Sequence, residues 1–108
     1  IVVLAVPLTE STSGLMNADM LSRMKPGAVF VNIARGAVVN EAALTDALAA
    51  RRIGGAVLDV FEEEPLSADS KLWDMKNVII TPHNSFVGEG NSVRLKELIF
   101  NNLERMQT

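Results

Sequence analysis

Short apolar runs recur along this chain and alternate with segments of helical periodicity. Nearly uninterrupted runs of this kind, bounded by turn-forming residues, are typical of strands buried on both faces of a parallel sheet. Breakers such as Lys25-Pro26-Gly27 and Gly54-Gly55 separate the runs. The pattern predicts strands at 1–6, 28–31, 56–60 and 78–80.

Helices are predicted between these strands from capping residues and apolar spacing. Asn17 is suited to cap a short helix at 18–24, and Asn40 to cap a helix at 41–51. A turn of helix is predicted near 72–73. A long helix should end at about Met106, with an apolar side formed by Val93, Leu95, Leu98, Ile99 and Leu103. The alternation predicts an α/β fold, a doubly wound parallel sheet of about four strands with flanking helices and right-handed crossovers.

The first predicted strand begins at residue 1, with no turn or cap before it. A strand so apolar is expected to be buried, so we interpret residues 1–108 as one portion of a longer domain. If this strand is central in the complete sheet, its outer edge is bare here. Bare edges recruit partners, so self-association and a homo-oligomer are expected.

The composition narrows the class of protein. The chain has 108 residues, with 10 Lys and Arg against 13 Asp and Glu and a net charge of −3, so a nucleic-acid surface is not expected. There is no cysteine and one histidine, which predicts a reducing, cytoplasmic setting without disulfides or a bound metal. No apolar run is long enough to span a bilayer, so no membrane association is expected.

Residues able to bind an anion or transfer a proton follow three of the four predicted strands. Arg35 comes after the second strand, the acidic run 62–64 after the third, and His83 after the fourth. Each alone is most simply a solvated loop residue. Because ligands bind at the carboxyl ends of parallel strands, their shared placement favours a site. An arginine that grips an anion, a histidine that moves a proton and a glutamate that tunes the histidine suit a hydroxy-acid or keto-acid substrate.

Four segments resemble the D-isomer-specific 2-hydroxyacid dehydrogenases, the family that includes phosphoglycerate dehydrogenase, in the C-terminal half of their NAD-binding domain. They are VPLT at 6–9 with Gly14-Leu15, MKPGA at 24–28 running into VNIARG at 31–36, AVLDVF at 56–61 through Glu64-Pro65, and NVIITPH at 77–83. The resemblance implies a partial Rossmann-type sheet. It also implies an oxidoreductase that transfers a hydride between NAD or NADP and a small-molecule 2-keto or 2-hydroxy acid of D configuration.

The resemblance also implies roles for the catalytic residues. Arg35 matches the arginine that pairs with the substrate carboxylate, for which a bidentate guanidinium suits better than a lysine. Glu64 matches the carboxylate that hydrogen-bonds the catalytic histidine. His83 matches the general acid of reduction and the base of the reverse reaction.

Five further positions match the cofactor-binding part of the family pattern. Pro7 is implied near the cofactor ribose, Ile33 and Ala34 in the nicotinamide pocket, and Asp59 at the nicotinamide carboxamide. Ser85 stands where the family has a small residue near the nicotinamide, and Phe86 after it departs from the usual pattern.

The chain lacks other parts of the family pattern. The glycine-rich pyrophosphate turn lies in the first half of the family's NAD-binding domain, and Gly88-Glu89-Gly90 follows the wrong strand to replace it. That half and the substrate domain are therefore expected outside this chain. Alone, the chain should be inactive or nearly so. Two alternatives stay open, namely a corepressor-like protein that senses dinucleotides and an inactive structural fragment.

Overall fold

Within residues 1–106, which the computed structural model describes, four strands form one parallel sheet in the order β1-β2-β3-β4. The strands are β1 Val2–Leu4, β2 Val29–Asn32, β3 Gly55–Leu58 and β4 Val78–Ile80. The helices are α1 Ala18–Ser22, α2 Glu41–Ala49 and α3 Asn91–Met106, with 3-10 turns at Gly36–Val38 and Lys71–Asp74. The predicted α/β class and parallel sheet are confirmed.

The carboxyl ends of the four strands are level. The register places Leu4 beside Asn32, Asn32 beside Leu58, and Leu58 beside Ile80. The ladder continues one step further, because Asp59 N–H donates to the Asn32 carbonyl at 3.1 Å and Thr81 N–H to the Leu58 carbonyl at 3.0 Å. The segments after β2, β3 and β4 therefore start along one edge of the sheet.

The amino ends of β2 and β3 are joined by direct backbone contact. Gly54 N–H donates to the Ala28 carbonyl at 2.8 Å. A side chain at Gly54 would lie 2.7 Å from the Gly27 carbonyl oxygen, so only glycine lets the turns approach this closely. The turns before β2 and β3 are therefore packed directly against each other.

The predicted caps start both short helices. The Asn17 side chain accepts a hydrogen bond from Met20 N–H, and the Asn40 side chain accepts one from Ala43 N–H. Helix α2 ends at Ala49, two residues earlier than predicted. The reason is that Arg51 adopts a left-handed backbone with φ 52°, which stops the helix.

The core lies between the sheet and the pair α1 and α2, which pack on each other. Its largest fully buried side chains are Phe30, Leu21, Leu44, Leu48, Ile53 and Leu72. Leu72 comes from the 3-10 turn predicted near 72–73.

The expected burial of the first strand is wrong for this chain. Strand β1 is shorter than the predicted 1–6 and is not buried on both faces, since Val3 is 55% exposed. Strand β1 lies at the edge of the sheet, and β2 is its one neighbouring strand among residues 1–106. The apolar side of α3 joins no core, because none of the helix's residues is buried. Among residues 1–106, no helix is both long and apolar enough to cross a membrane.

Candidate active site

The loop after β2 is shaped by the side chain of Asn32. This residue is buried at 1% exposure; its Oδ1 accepts from Ala34 N–H at 3.0 Å, and its Nδ2 donates to the Arg35 carbonyl at 3.1 Å. Asparagine forms such local turns readily because its amide imitates a backbone group. The turn fixes where Arg35 leaves the sheet.

Gly36 brings this loop against the segment after β3. A Cβ built on Gly36 would lie 1.9 Å from both the carbonyl carbon and the carbonyl oxygen of Phe61. Any side chain would collide with backbone, so the contact requires glycine. Arg35 is thereby placed beside the acidic segment that follows Phe61.

The three consecutive glutamates after β3 have different surroundings. Glu62 and Glu41 at the start of α2 bond reciprocally: each backbone N–H donates to the other's carboxylate, at 2.8 and 3.0 Å. Glu64 turns back, and its Oε1 accepts from Phe61 N–H at 3.1 Å. Glu63 is exposed. Glu62 and Glu64 therefore make specific hydrogen bonds and are not merely solvated members of an acidic run.

Glu64 and His83 form a pair across the ends of β3 and β4. The imidazole Nδ1 lies 2.6 Å from Oε2 of Glu64, and each side chain is about one-third exposed. The hydrogen bond from His83 is the main cause that lowers the Glu64 pKa. Partial burial opposes it, while the Phe61 N–H and the charges of His83 and Arg35 support it. An ionised carboxylate only accepts, so Nδ1 carries the proton and Nε2 is the atom that can exchange one.

Arg35 shares this edge of the sheet but does not bond to the pair. Its Nη1 donates to the Ala34 carbonyl at 2.7 Å, and the residue is exposed. Its charge still contributes to the low pKa of Glu64. The cation is therefore near the pair and accessible to an anionic ligand.

Asp59 is buried beneath the loop that carries His83. Its Oδ1 accepts from the Thr81 hydroxyl at 2.5 Å and from Asn84 N–H at 2.9 Å, and its Oδ2 accepts from Ser85 N–H at 3.0 Å. Burial raises the Asp59 pKa, but these hydrogen bonds outweigh it and bring the pKa to about 2. Asp59 is thus an anion at neutral pH whose oxygens are engaged by residues 81–85.

Two cavities flank these residues. One of about 540 Å³ is lined by Pro7, Ile33, Ala34 and Arg35, among others. The second, about 510 Å³, has apolar walls that include Leu66, Trp73 and Ile80 and reaches Glu64 and His83. Within residues 1–106, no group of three or more acidic or histidine side chains is arranged to hold a metal ion.

The structure therefore divides the predicted site residues into three groups. Pro7, Ile33, Ala34 and Arg35 line one cavity, and Glu64 and His83 meet at the other. Asp59 and Ser85 bond to each other and line neither cavity. The exposed ring of Phe86 lies edge-on to His83, with ring centroids 6.4 Å apart.

Asn32 and Thr81 are contributors to which the sequence alone assigned no role. The sequence could have indicated the role of Asn32. An asparagine that directly follows a predicted strand often bonds to the backbone N–H two residues later and so forms a turn. For Thr81 there was no such signal, since its hydroxyl bonds to a carboxylate 22 positions away.

Comparisons with known proteins bear on this site. A family model described as D-isomer specific 2-hydroxyacid dehydrogenase, NAD binding domain, matches residues 1–85. The (S)-sulfolactate dehydrogenase of Chromohalobacter salexigens is 45% identical over 102 residues, covering 94% of this chain and 33% of that protein. Glyoxylate/hydroxypyruvate reductase B of Pectobacterium carotovorum is 51% identical over 80 residues, covering 74% and 25%.

Solved structures agree with these matches. A D-isomer specific 2-hydroxyacid dehydrogenase from Xanthobacter autotrophicus, in complex with NADPH and MES, is 56% identical with a TM-score of 0.74, covering 75% of this chain and 26% of that one. The NADPH-dependent glyoxylate/hydroxypyruvate reductase from Sinorhizobium meliloti, in complex with NADP and sulfate, is 35% identical with a TM-score of 0.84, covering 97% and 34%. The chain spans about a third of the length of the first of these relatives.

Proposed function

Because this chain belongs to the D-isomer-specific 2-hydroxyacid dehydrogenase family, we propose that it is the C-terminal portion of the NAD-binding domain of such an enzyme. The glycine-rich half and the substrate domain would lie outside residues 1–108. The complete enzyme would interconvert a 2-keto acid and a 2-hydroxy acid of D configuration with NAD or NADP. The observation that carries the proposal is the 2.6 Å pair of His83 Nδ1 and Glu64 Oε2, with the Arg35 guanidinium close by.

The nicotinamide ring is proposed to bind in the cavity of about 540 Å³ beside Arg35. Its lining includes Pro7, Ile33 and Ala34, which offer the apolar surface that a flat ring requires. These residues would hold the nicotinamide, and Ser85 is proposed nearby. A direct contact of Asp59 with the carboxamide remains a prediction. When bound, the cofactor supplies the hydride for reduction.

The proton chemistry is assigned to this chain's own residues. Arg35 would bind the substrate carboxylate through its planar fork and so orient the keto group. His83 would donate the Nε2 proton to the keto oxygen in reduction, and accept the hydroxyl proton at the same atom in the reverse reaction. Glu64 would keep the Nδ1 proton in place, which leaves Nε2 as the exchanging atom.

We also propose a location, an oligomeric state and a substrate class for the enzyme. The absence of cysteine supports a cytoplasmic location. The exposed apolar residues of β1 and α3 support a homo-oligomer. The substrate is a small acid, and the names of the relatives suggest glyoxylate, hydroxypyruvate and sulfolactate as first candidates.

The test uses the complete enzyme and the variant His83→Gln. NADH and NADPH oxidation would be followed with glyoxylate and hydroxypyruvate, (S)-sulfolactate would be tried in the oxidative direction, and any chiral product would be analysed for configuration. His83→Gln should lower kcat by roughly 100- to 10,000-fold while cofactor binding is retained. An unchanged kcat would contradict the proposal. Cofactor binding without turnover of any keto acid would favour the dinucleotide-sensing alternative.

A further inference from the structure

The buried carboxylate of Asp59 holds the loop on both sides of His83. Its three hydrogen-bond donors are Thr81, two residues before the histidine, and Asn84 and Ser85, the two residues after it. Asp59 itself directly follows β3 and is 1% exposed. The carboxylate therefore fixes the loop without touching the imidazole.

His83 needs such restraint because its backbone is in an unfavourable region. Its φ is 51°, in the left-handed region where a side chain other than glycine is strained. Its own N–H donates to the Thr81 carbonyl at 3.1 Å, which closes a tight turn. A strained backbone persists only where its surroundings over-determine it, and here Asp59 binds both flanks of the turn.

The same segment after β3 also fixes the partner of the histidine. Glu64 is held by Phe61 N–H, and Phe61 is two residues beyond Asp59 with the buried Val60 between them. The loops that carry His83 and Glu64 are thus both held by hydrogen bonds to one short, buried segment, residues 59–61. The 2.6 Å contact between Nδ1 and Oε2 therefore joins two side chains whose loops are both held by this segment.

We propose that Asp59 is a positioning residue, which holds His83 in its left-handed backbone conformation and so aligns Nδ1 with Glu64. The proposal rests on the proposed function and deepens it. It predicts that Asp59 acts through His83 on the proton transfer, and it competes with the predicted contact of Asp59 with the nicotinamide carboxamide, loss of which would lower cofactor affinity instead.

Two changes separate these actions. Asp59→Asn replaces one acceptor oxygen with a donor, so a backbone N–H such as that of Ser85 loses its partner. Thr81→Val removes one donor to Asp59 while keeping the carboxylate and nearly the same shape. Thr81→Ser restores the hydroxyl and is the matched control.

The first measurement is steady-state kinetics together with cofactor affinity in the complete enzyme. Asp59→Asn should lower kcat by on the order of 10- to 100-fold, as expected for a misplaced catalytic group. Thr81→Val should lower kcat less and Thr81→Ser should restore it. The dissociation constants of NADH and NADPH should change by no more than about two-fold in each variant, which is small against the loss of kcat.

The second measurement needs no turnover. A proton on Nδ1 that is bonded to a carboxylate gives a separate, strongly downfield proton resonance, which would be assigned to His83 by its loss in His83→Gln. The resonance should be lost or displaced in Asp59→Asn and Thr81→Val and retained in Thr81→Ser.

The results that would contradict the positioning role differ from those that would contradict the proposed function. If Asp59→Asn and Thr81→Val keep both kcat and the resonance while cofactor affinity falls, Asp59 acts on the cofactor and the positioning role is wrong. If His83→Gln itself retains full kcat, the proposed function is wrong.

Discussion

Replacement of Gly36 by alanine should separate the two loops that carry the candidate site. The new Cβ would lie 1.9 Å from the Phe61 carbonyl carbon, whereas ordinary contact begins at 3.4 Å. The loops must therefore move apart by about 1.5 Å. Because the neighbouring atoms are backbone, no side-chain rotation relieves the collision, and overpacking of this kind costs about 1–3 kcal/mol.

Separation of the two loops would also weaken hydrogen bonds beside Phe61. Glu62 follows Phe61, and its reciprocal bonds with Glu41 have little freedom to lengthen. Loss of one of these bonds adds about 1 kcal/mol. We expect Gly36→Ala to lower the free energy of unfolding by about 3 kcal/mol and to lower kcat, since Arg35 and Glu64 lie on the two separated loops.

The assay is denaturant unfolding of the complete protein, with Gly27→Ala as the matched control. A Cβ on Gly27 meets nothing within 4 Å, so this variant should be neutral or slightly stabilised, by up to about 1 kcal/mol. If the two alanine variants unfold at the same denaturant concentration, the close approach of Gly36 to Phe61 is not a feature of the folded protein.

Four further predictions concern the site and the exposed surfaces. Arg35→Lys keeps the charge but loses the fork, so KM should rise and kcat fall together; an unchanged kcat/KM would exclude the carboxylate contact. Glu64→Gln removes the carboxylate that holds the Nδ1 proton of His83, so kcat of keto-acid reduction should fall by on the order of 10- to 100-fold, whereas Glu63→Gln should leave kcat unchanged; equal kcat values for the two variants would contradict the pairing. The Asp59 pKa is lowered to about 2 from 3.8, so its ionised form stabilises the fold by about 2 kcal/mol above about pH 4, a contribution lost as the pH falls towards 2; Asp59→Asn should show a shallower loss of unfolding free energy over that range, and parallel curves would contradict this. The isolated 108-residue chain should self-associate through β1 and α3, which sedimentation would test, with a monomer at high concentration as the contrary result.

The sequence predicted those parts of the site that depend on strand order. Arg35, the acidic run and His83 each follow an apolar run, and parallel strands bring such positions to one edge. The cavity that joins Pro7 to Ile33 and Ala34 follows from the same topology. The resemblance implied the partnership of Glu64 with His83, and the structure places them in hydrogen-bond contact.

The rest depends on distances that no local pattern encodes. The bond between Glu62 and the start of α2 joins positions 21 apart, and that between Asp59 and Ser85 joins positions 26 apart. The left-handed backbone of His83 results from the turn around it, since histidine enters that region more often than most residues but still only in a minority of cases. The exposure of α3 could not be predicted either, because an apolar stripe indicates a need for burial without naming what covers it.

The contrast between the two edges of the sheet has a consequence for engineering. At the amino edge, Gly54 packs against the backbone of Gly27, and the lining of both cavities described at the carboxyl edge excludes these residues. Changes there act on stability with little direct effect on chemistry, whereas changes after β2, β3 or β4 act on both. A search for heat-tolerant variants is therefore best confined to the amino edge and the outer face of α2, and a search for altered substrate range to the three carboxyl-end loops. Libraries divided in this way can be optimised separately and then combined, since distant substitutions tend to be additive.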